Sequence, residues 1–198
     1  MHRIVRLLSV TLLSLTIAPA FAASTAPKGP YALDPLHTQI MFAIKHIGLS
    51  TFYGRLGPVS GTVNFDQAAP ERSALNVQID TRSIDTHVPE LDSSVPNSLF
   101  QADKFPTASF ISTAIARTGA DIGTVTGNLT IAGVTKPVTL TVTFNGGHGT
   151  GEPLQPYRIG FDATATIKRS DFGLTHVIWD GFVSDEVQLL IEAEAERR

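Results

Sequence analysis

Val138-Thr139-Leu140-Thr141-Val142-Thr143-Phe144 alternates a large apolar residue with threonine over its whole length. Successive side chains of an extended chain point to opposite faces, so the pattern puts Val138, Leu140, Val142 and Phe144 on one side and the threonines on the other. Branching at Cβ suits threonine to a pleated surface, and its hydroxyl is at home in water. The stretch predicts a strand buried on one face and solvated on the other.

The same period of two extends in both directions along the chain. Toward the N-terminus it recurs over 124–131, 108–115, 75–80 (Leu75, Val77 and Ile79 against Asn76 and Gln78), 63–65 and 39–46, where Ile40, Phe42, Ile44 and His46 share one face. Toward the C-terminus it returns over 157–167 and 187–195. These runs predict an all-β chain of eight antiparallel strands, the usual number for a small closed barrel. Joints are expected at Gly48, Gly54, Gly57-Pro58, Gly61 and Gly133, with a loose segment over 145–156.

The connection 83–106 reads differently. Val88, Leu91, Val95, Leu99 and Phe100 have the spacing of short helical turns and are bracketed by Pro89, Pro96 and Pro106. It predicts one or two short helices capping the barrel or covering a sheet edge.

At the start of the chain, Arg3 and Arg6 precede an apolar run from Leu7 to Ile17, followed by Ala20-Phe21-Ala22. This is the grammar of a signal peptide over 1–23, too short to span a bilayer as a helix. Residues 24–30 read as a flexible leader and 31–198 as one domain, periplasmic or secreted. Absence of cysteine excludes a lipoprotein thioether, disulfides and thiolate metal sites. The chain carries a net charge of −3, and loss of Arg3 and Arg6 makes its remainder more acidic, so nucleic acid is not an expected partner.

Chemistry finds little support in the residues. The histidines His37, His46, His87, His148 and His176 are scattered singly with no metal-ligand spacing, and no nucleophile elbow or phosphate loop is present. Asp185-Glu186 reads as solvated edge protection, and 168–173 as a turn in which Asp171 caps a backbone N–H. Lys168 or Arg169 gripping an anionic head group is the functional alternative there. His46 lies on the apolar side of its strand, where it would bond a neighbouring backbone group or a ligand's polar head. Neither an enzyme nor a bound metal or cofactor is expected. The apolar face reads equally as a packed core or as a lined cavity. Phenylalanine outnumbers tyrosine and tryptophan, 11 against 3 and 1, which leaves few hydrogen-bonding handles inside.

Several stretches together resemble the YceI-like family of exported lipocalin-like proteins: Tyr31-Ala32-Leu33-Asp34-Pro35-Leu36-His37-Thr38, Gly61-Thr62-Val63-Asn64-Phe65-Asp66, and above all the run from Val125 to Leu140. Ile167-Lys168-Arg169-Ser170-Asp171-Phe172-Gly173 and Val183-Ser184-Asp185-Glu186-Val187 continue the match in order. The resemblance implies an extended lipocalin-like barrel whose tunnel binds a polyisoprenoid, such as a polyprenol or an isoprenoid quinone tail, for storage or transfer. The protein would then be a monomer or homodimer with transient membrane contact. The tunnel lining it implies is Ile40, Phe42, Ile44, His46, Val63, Phe65, Leu75, Val77, Phe110, Leu129, Val142, Phe161 and Leu189. One segment departs from the family. Where a basic residue and a histidine usually lead into the cap, residues 90–100 keep only Asp92 and Phe100, so no cap residue is carried over as a ligand contact. Two other functions compete: a lipid-modifying enzyme using His46, and a solid-barrel interaction module.

Overall fold

The computed structural model describes residues 25–152 and 154–198. The signal peptide expected over 1–23 lies outside the described residues. Among the described residues eleven antiparallel strands form one sheet: β1 (Gly29–Leu33), β2 (Gln39–His46), β3 (Ser50–Leu56), β4 (Val59–Phe65), β5 (Ala74–Asp80), β6 (Ile84–Asp85), β7 (Thr107–Arg117), β8 (Ile122–Ile131), β9 (Val134–His148), β10 (Arg158–Lys168) and β11 (Val183–Arg197). The order β1-β4-β5-β7-β8-β9-β10-β11 closes on itself because β11 also pairs with β1, Tyr31 lying opposite Arg197. This closed ring has the expected eight strands, but not the expected set: β1, part of it read as leader, takes the place in the ring given to 39–46, and β2 lies outside it.

The remaining strands extend one end of that ring. β2 continues the line of β1 and pairs with β11, β3 pairs with β2 and leads into β4, and β6 adds to β3. At this end the wall is not fully stitched. β6 is the last strand of the order and has no partner in β7, while β9 and β10 pair only as far as Thr141 and Thr164. The helix α1 (Pro89–Ser98) covers the first gap, and its Leu91, Val95 and the following Leu99 face inward at the four-residue spacing of one helical side. Asp92 fastens the helix by accepting the N–H of Thr86 at 2.8 Å and its hydroxyl at 2.6 Å. Near the second gap, the short 3-10 turn Arg169–Phe172 and the residues after it bury Phe172 and Leu174.

Three local expectations are corrected. The leader does not hang free: Ala26 is buried and donates to the Gln67 side chain, Lys28 pairs with Asp66, and Tyr31 is wholly buried with its hydroxyl on the Pro27 carbonyl at 2.6 Å. Short runs with one large residue give no period to read, yet Tyr31 is an anchor, and burial pushes its phenol pKa up. The loose segment expected from Asn145 is strand as far as His148, because β10 supplies ladder partners through Arg158. Gly54 and Gly61 are not joints but the interiors of β3 and β4. A Cβ on Gly54 would collide with the Phe42 ring, and one on Gly61 with the Asn76 carbonyl, so both glycines allow close approach rather than a turn. Reading Gly54 as a joint is what hides β3 in the sequence.

Gly133 does mark a turn. With Ala132 it forms the two-residue loop between β8 and β9, both at positive φ as the right-handed twist of a hairpin favours.

Candidate functional site: an apolar cavity through the barrel

Inward alternation lines a continuous cavity of about 740 Å³, within the range of small-molecule sites. Every residue proposed from the sequence lies on its wall: Ile40, Phe42, Ile44 and His46 from β2, Val63 and Phe65 from β4, Leu75 and Val77 from β5. Phe110 enters from β7, Leu129 from β8, Val142 from β9, Phe161 from β10 and Leu189 from β11. Register explains why they converge. Phe42 lies opposite Leu189 and Phe110 opposite Leu129, so a face set by local alternation is continued across each ladder. Outward positions such as Thr139 and Thr141 are polar, the reverse of a barrel that faces lipid.

One end of the cavity is aromatic. The Phe65 ring lies 5.0 Å from Phe144 and 5.5 Å from Phe161, with Tyr31 edge-on at 6.4 Å. Such tilted and T-shaped contacts suit the ring quadrupoles and hold this end firmly. The opposite end opens to solvent, with Phe182 54% exposed. Its wall includes Phe52, Trp179 and Phe182 as well as the helix residues Leu91 and Val95. Leu91 and Val95 belong to the capping helix expected from their spacing, whereas sequence reading missed Phe52, in a strand masked by Gly54, and Trp179 and Phe182, in a loop without a period.

Polar wall residues gather at the two ends, His46, Asp80 and Arg169 at the helix end and Arg117 and Asp121 at the other. The barrel between them presents hydrocarbon. Charge buried there would lose its hydration without a partner, so the middle favours an uncharged chain.

The ends themselves are mostly engaged in holding the fold. Arg169, expected either in a solvated turn or on a ligand anion, is buried: it donates to the Leu174 carbonyl at 2.9 Å, the Ser184 carbonyl at 3.1 Å and Asp180 Oδ1 at 2.6 Å. The N–H of His176 and the guanidinium of Arg169 hold the Asp180 carboxyl below its ordinary pKa. Asp185, not Asp171, caps the turn, accepting the Ser170 N–H at 2.9 Å and its hydroxyl at 2.7 Å. Those bonds lower the Asp185 pKa, so this carboxylate is structural rather than edge protection. His46 is exposed at the rim, and its ring has no hydrogen-bond partner among the described residues. The buried backbone bond expected for it is therefore not formed.

Tertiary structure also brings Asp34, His37 and Glu194 together, with potential ligand atoms within 4.8 Å of one another. Their closeness follows from the β1–β2 corner. His37 Nδ1–H donates to Asp34 Oδ2 at 2.7 Å, and the Glu194 carbonyl accepts the Asp34 N–H at 2.9 Å and the Thr38 hydroxyl at 3.2 Å. His37 is raised in pKa by Asp34, and Asp34 lowered by His37.

Comparison with known proteins agrees with this architecture. The chain is 40% identical over 191 residues to a UPF0312 protein of Yersinia enterocolitica, covering 94% of this chain and 97% of that one. It is 38% identical over 196 residues to a UPF0312 protein of Pseudomonas aeruginosa, covering 97% and 100%. Among solved structures, Burkholderia cenocepacia BcnA superposes with a TM-score of 0.73 at 28% identity, covering 82% of this chain and 98% of that one. A polyisoprenoid binding domain from Saccharophagus degradans shares the fold at TM-score 0.64 and 16% identity, covering 85% and 98%. The model of the YceI-like domain matches residues 31–195, all but the outermost residues of the closed barrel, and the chain belongs to that family.

Proposed function

We propose that the protein binds one long apolar isoprenoid, a polyprenol or the tail of an isoprenoid quinone, inside the barrel, and stores or carries it in a periplasmic or secreted compartment. The observation that carries this reading is the cavity itself: an apolar lumen of about 740 Å³ whose polar groups lie at its ends. A branched hydrocarbon chain matches such a lumen along its length. Each buried methylene contributes on the order of 0.8 kcal/mol, so length gives affinity even after ordering costs. The S. degradans structural neighbour, a polyisoprenoid binding domain, supports the ligand class, and the signal-peptide pattern over 1–23 supports the compartment.

Binding without turnover fits the groups at hand. His46 stands at an exposed rim, and the carboxylates Asp180 and Asp185 are committed to Arg169 and Ser170. A hollow lumen also argues against a solid-barrel interaction module. No cofactor beyond the lipid ligand enters this reading.

Lipid extraction and mass spectrometry of protein purified from its native host test the proposal. An isoprenoid in roughly stoichiometric amount is expected. Recovery of none, together with no uptake of a polyprenol or quinone offered in detergent, would overturn it.

A further inference from the structure

Apolar side chains left in solvent gather at the helix-end mouth. Ile47 and Leu49 stand on the β2–β3 hairpin and are 51% and 83% exposed, while Val177, Ile178 and Phe182 on the segment before β11 are 94%, 63% and 54% exposed. The Ile47 N–H donates to the Phe182 carbonyl at 2.6 Å, so the two loops form one surface. Ile47 also has φ of +44°, a left-handed conformation that a β-branched residue strongly disfavours and that glycine or asparagine would accept. Neither burial nor backbone preference accounts for isoleucine at that position. A clustered apolar surface of this kind marks an interaction site.

Continuity with the cavity decides what the surface meets. Phe182 is exposed and is also part of the cavity wall; Trp179, next to Ile178, and His46, next to Ile47, line the same mouth. Hydrocarbon entering the barrel passes this lip. A long isoprenoid dissolves in bilayers and not in water, so the surface at the entrance is the one that would meet the bilayer. Tryptophan at such a rim suits the membrane–water interface. Charge plays little part there. Lys168 faces Glu186 across the ladder, Asp180 is held by Arg169, and the chain as a whole is acidic. Attraction to anionic head groups, which needs clustered Lys and Arg, is therefore not the driving force.

We infer that Ile47, Leu49, Val177, Ile178 and Phe182 form an apolar lip that seats the barrel mouth on the interfacial layer of a lipid bilayer, so that the isoprenoid passes between membrane and cavity without crossing water. The inference rests on the isoprenoid reading above for what passes, but bilayer seating is measured separately.

The test compares the protein with a Leu49→Asp/Val177→Asp double variant, both changes being at strongly exposed positions. Ligand-free protein is sedimented with sucrose-loaded phosphatidylcholine vesicles at low and high salt, and uptake of a fluorescent polyprenol is timed from vesicles and from detergent. Wild-type protein is expected to co-sediment equally at both salt levels. The double variant should lose co-sedimentation and take up polyprenol from vesicles at least tenfold more slowly, while uptake from detergent is unchanged. Should the variant melt at a much lower temperature, Leu49→Ser/Val177→Ser replaces it. Equal vesicle uptake by both proteins, or wild-type protein that never co-sediments, would overturn the lip. So would a concentration-dependent dimer abolished by the same variant, which would give the lip to a second copy. Failure of detergent uptake with intact co-sedimentation would instead overturn the isoprenoid reading and leave the bilayer seat standing.

Discussion

The far edge of the Phe110 ring reaches over Gly127 on the neighbouring strand, so close that a Cβ added to the glycine would come within 2.5 Å of ring Cζ and 2.6 Å of the Ile111 carbonyl. Phe42 is placed in the same way over Gly54, its partner across the β2–β3 ladder. Inward-facing glycines thus let large rings lie along the wall instead of projecting into the lumen. This is how a barrel rich in phenylalanine stays hollow.

Gly127→Ala is therefore expected to destabilise the fold and narrow the cavity together. The Ile111 carbonyl is backbone and cannot swing aside, so overpacking should cost about 1–3 kcal/mol. For a domain of this size each 1 kcal/mol lowers Tm by roughly 2–4 °C. A melting temperature within a degree of wild type would contradict the close approach.

Ala163 offers a converse test from the other side of the lumen. It lies opposite Val142 on one side and Ile191 on the other, and its methyl faces the cavity. Ala163→Trp should plug the channel and bias bound lipid toward shorter chains. Each methylene excluded forfeits about 0.8 kcal/mol, so losing one five-carbon isoprene unit lowers affinity by up to about 4 kcal/mol. Mass spectrometry of bound lipid from the variant reads the chain length directly, and an unchanged profile would count against tail burial at this level.

Arg169 should tolerate no conservative replacement. Its planar guanidinium reaches the Leu174 and Ser184 carbonyls and the Asp180 carboxylate at once, which a lysine ammonium cannot do. Arg169→Lys should cost about 1–3 kcal/mol by leaving buried acceptors without donors. Denaturant unfolding measures it, and a wild-type midpoint would show that the carbonyls find other partners.

The Asp34–His37 pair gives a signed pH dependence. The folded pKa of His37 is raised, so its contribution is complete below its ordinary value of about 6.5 and is lost as pH rises through the folded value. That of Asp34 is lowered, so its contribution is present above its ordinary value of about 3.9 and is lost as pH falls through the folded one. Together they stabilise the β1–β2 corner most between these two limits. Tm measured against pH should show the gap between wild type and His37→Gln widest in that window, and a gap independent of pH would refute the pairing.

Much of the wall was legible because alternation is a local property. Ile40, Phe42 and Ile44, or Leu75 and Val77, declare their shared face from spacing alone. Beyond His46 and the capping helix, residues at the mouth gave no such signal. Trp179 and Phe182 lie in a loop, and Phe52 sits in a strand whose Gly54 reads as a break. Equally invisible was the corner where Thr38 and Asp34 meet the Glu194 carbonyl, since nothing local relates positions so far apart in the chain.

From the sequence alone come the β class, the eight-strand periodicity and the identity of the inward side chains, because each depends only on neighbours along one strand. Whether those side chains fill the barrel or line a cavity was decided by tertiary structure. Lumen width depends on how many strands close the ring, on their stagger, and on rings such as Phe42 and Phe110 lying over glycines across a ladder. These are relations between distant segments, and they exist only once β11 has met β1.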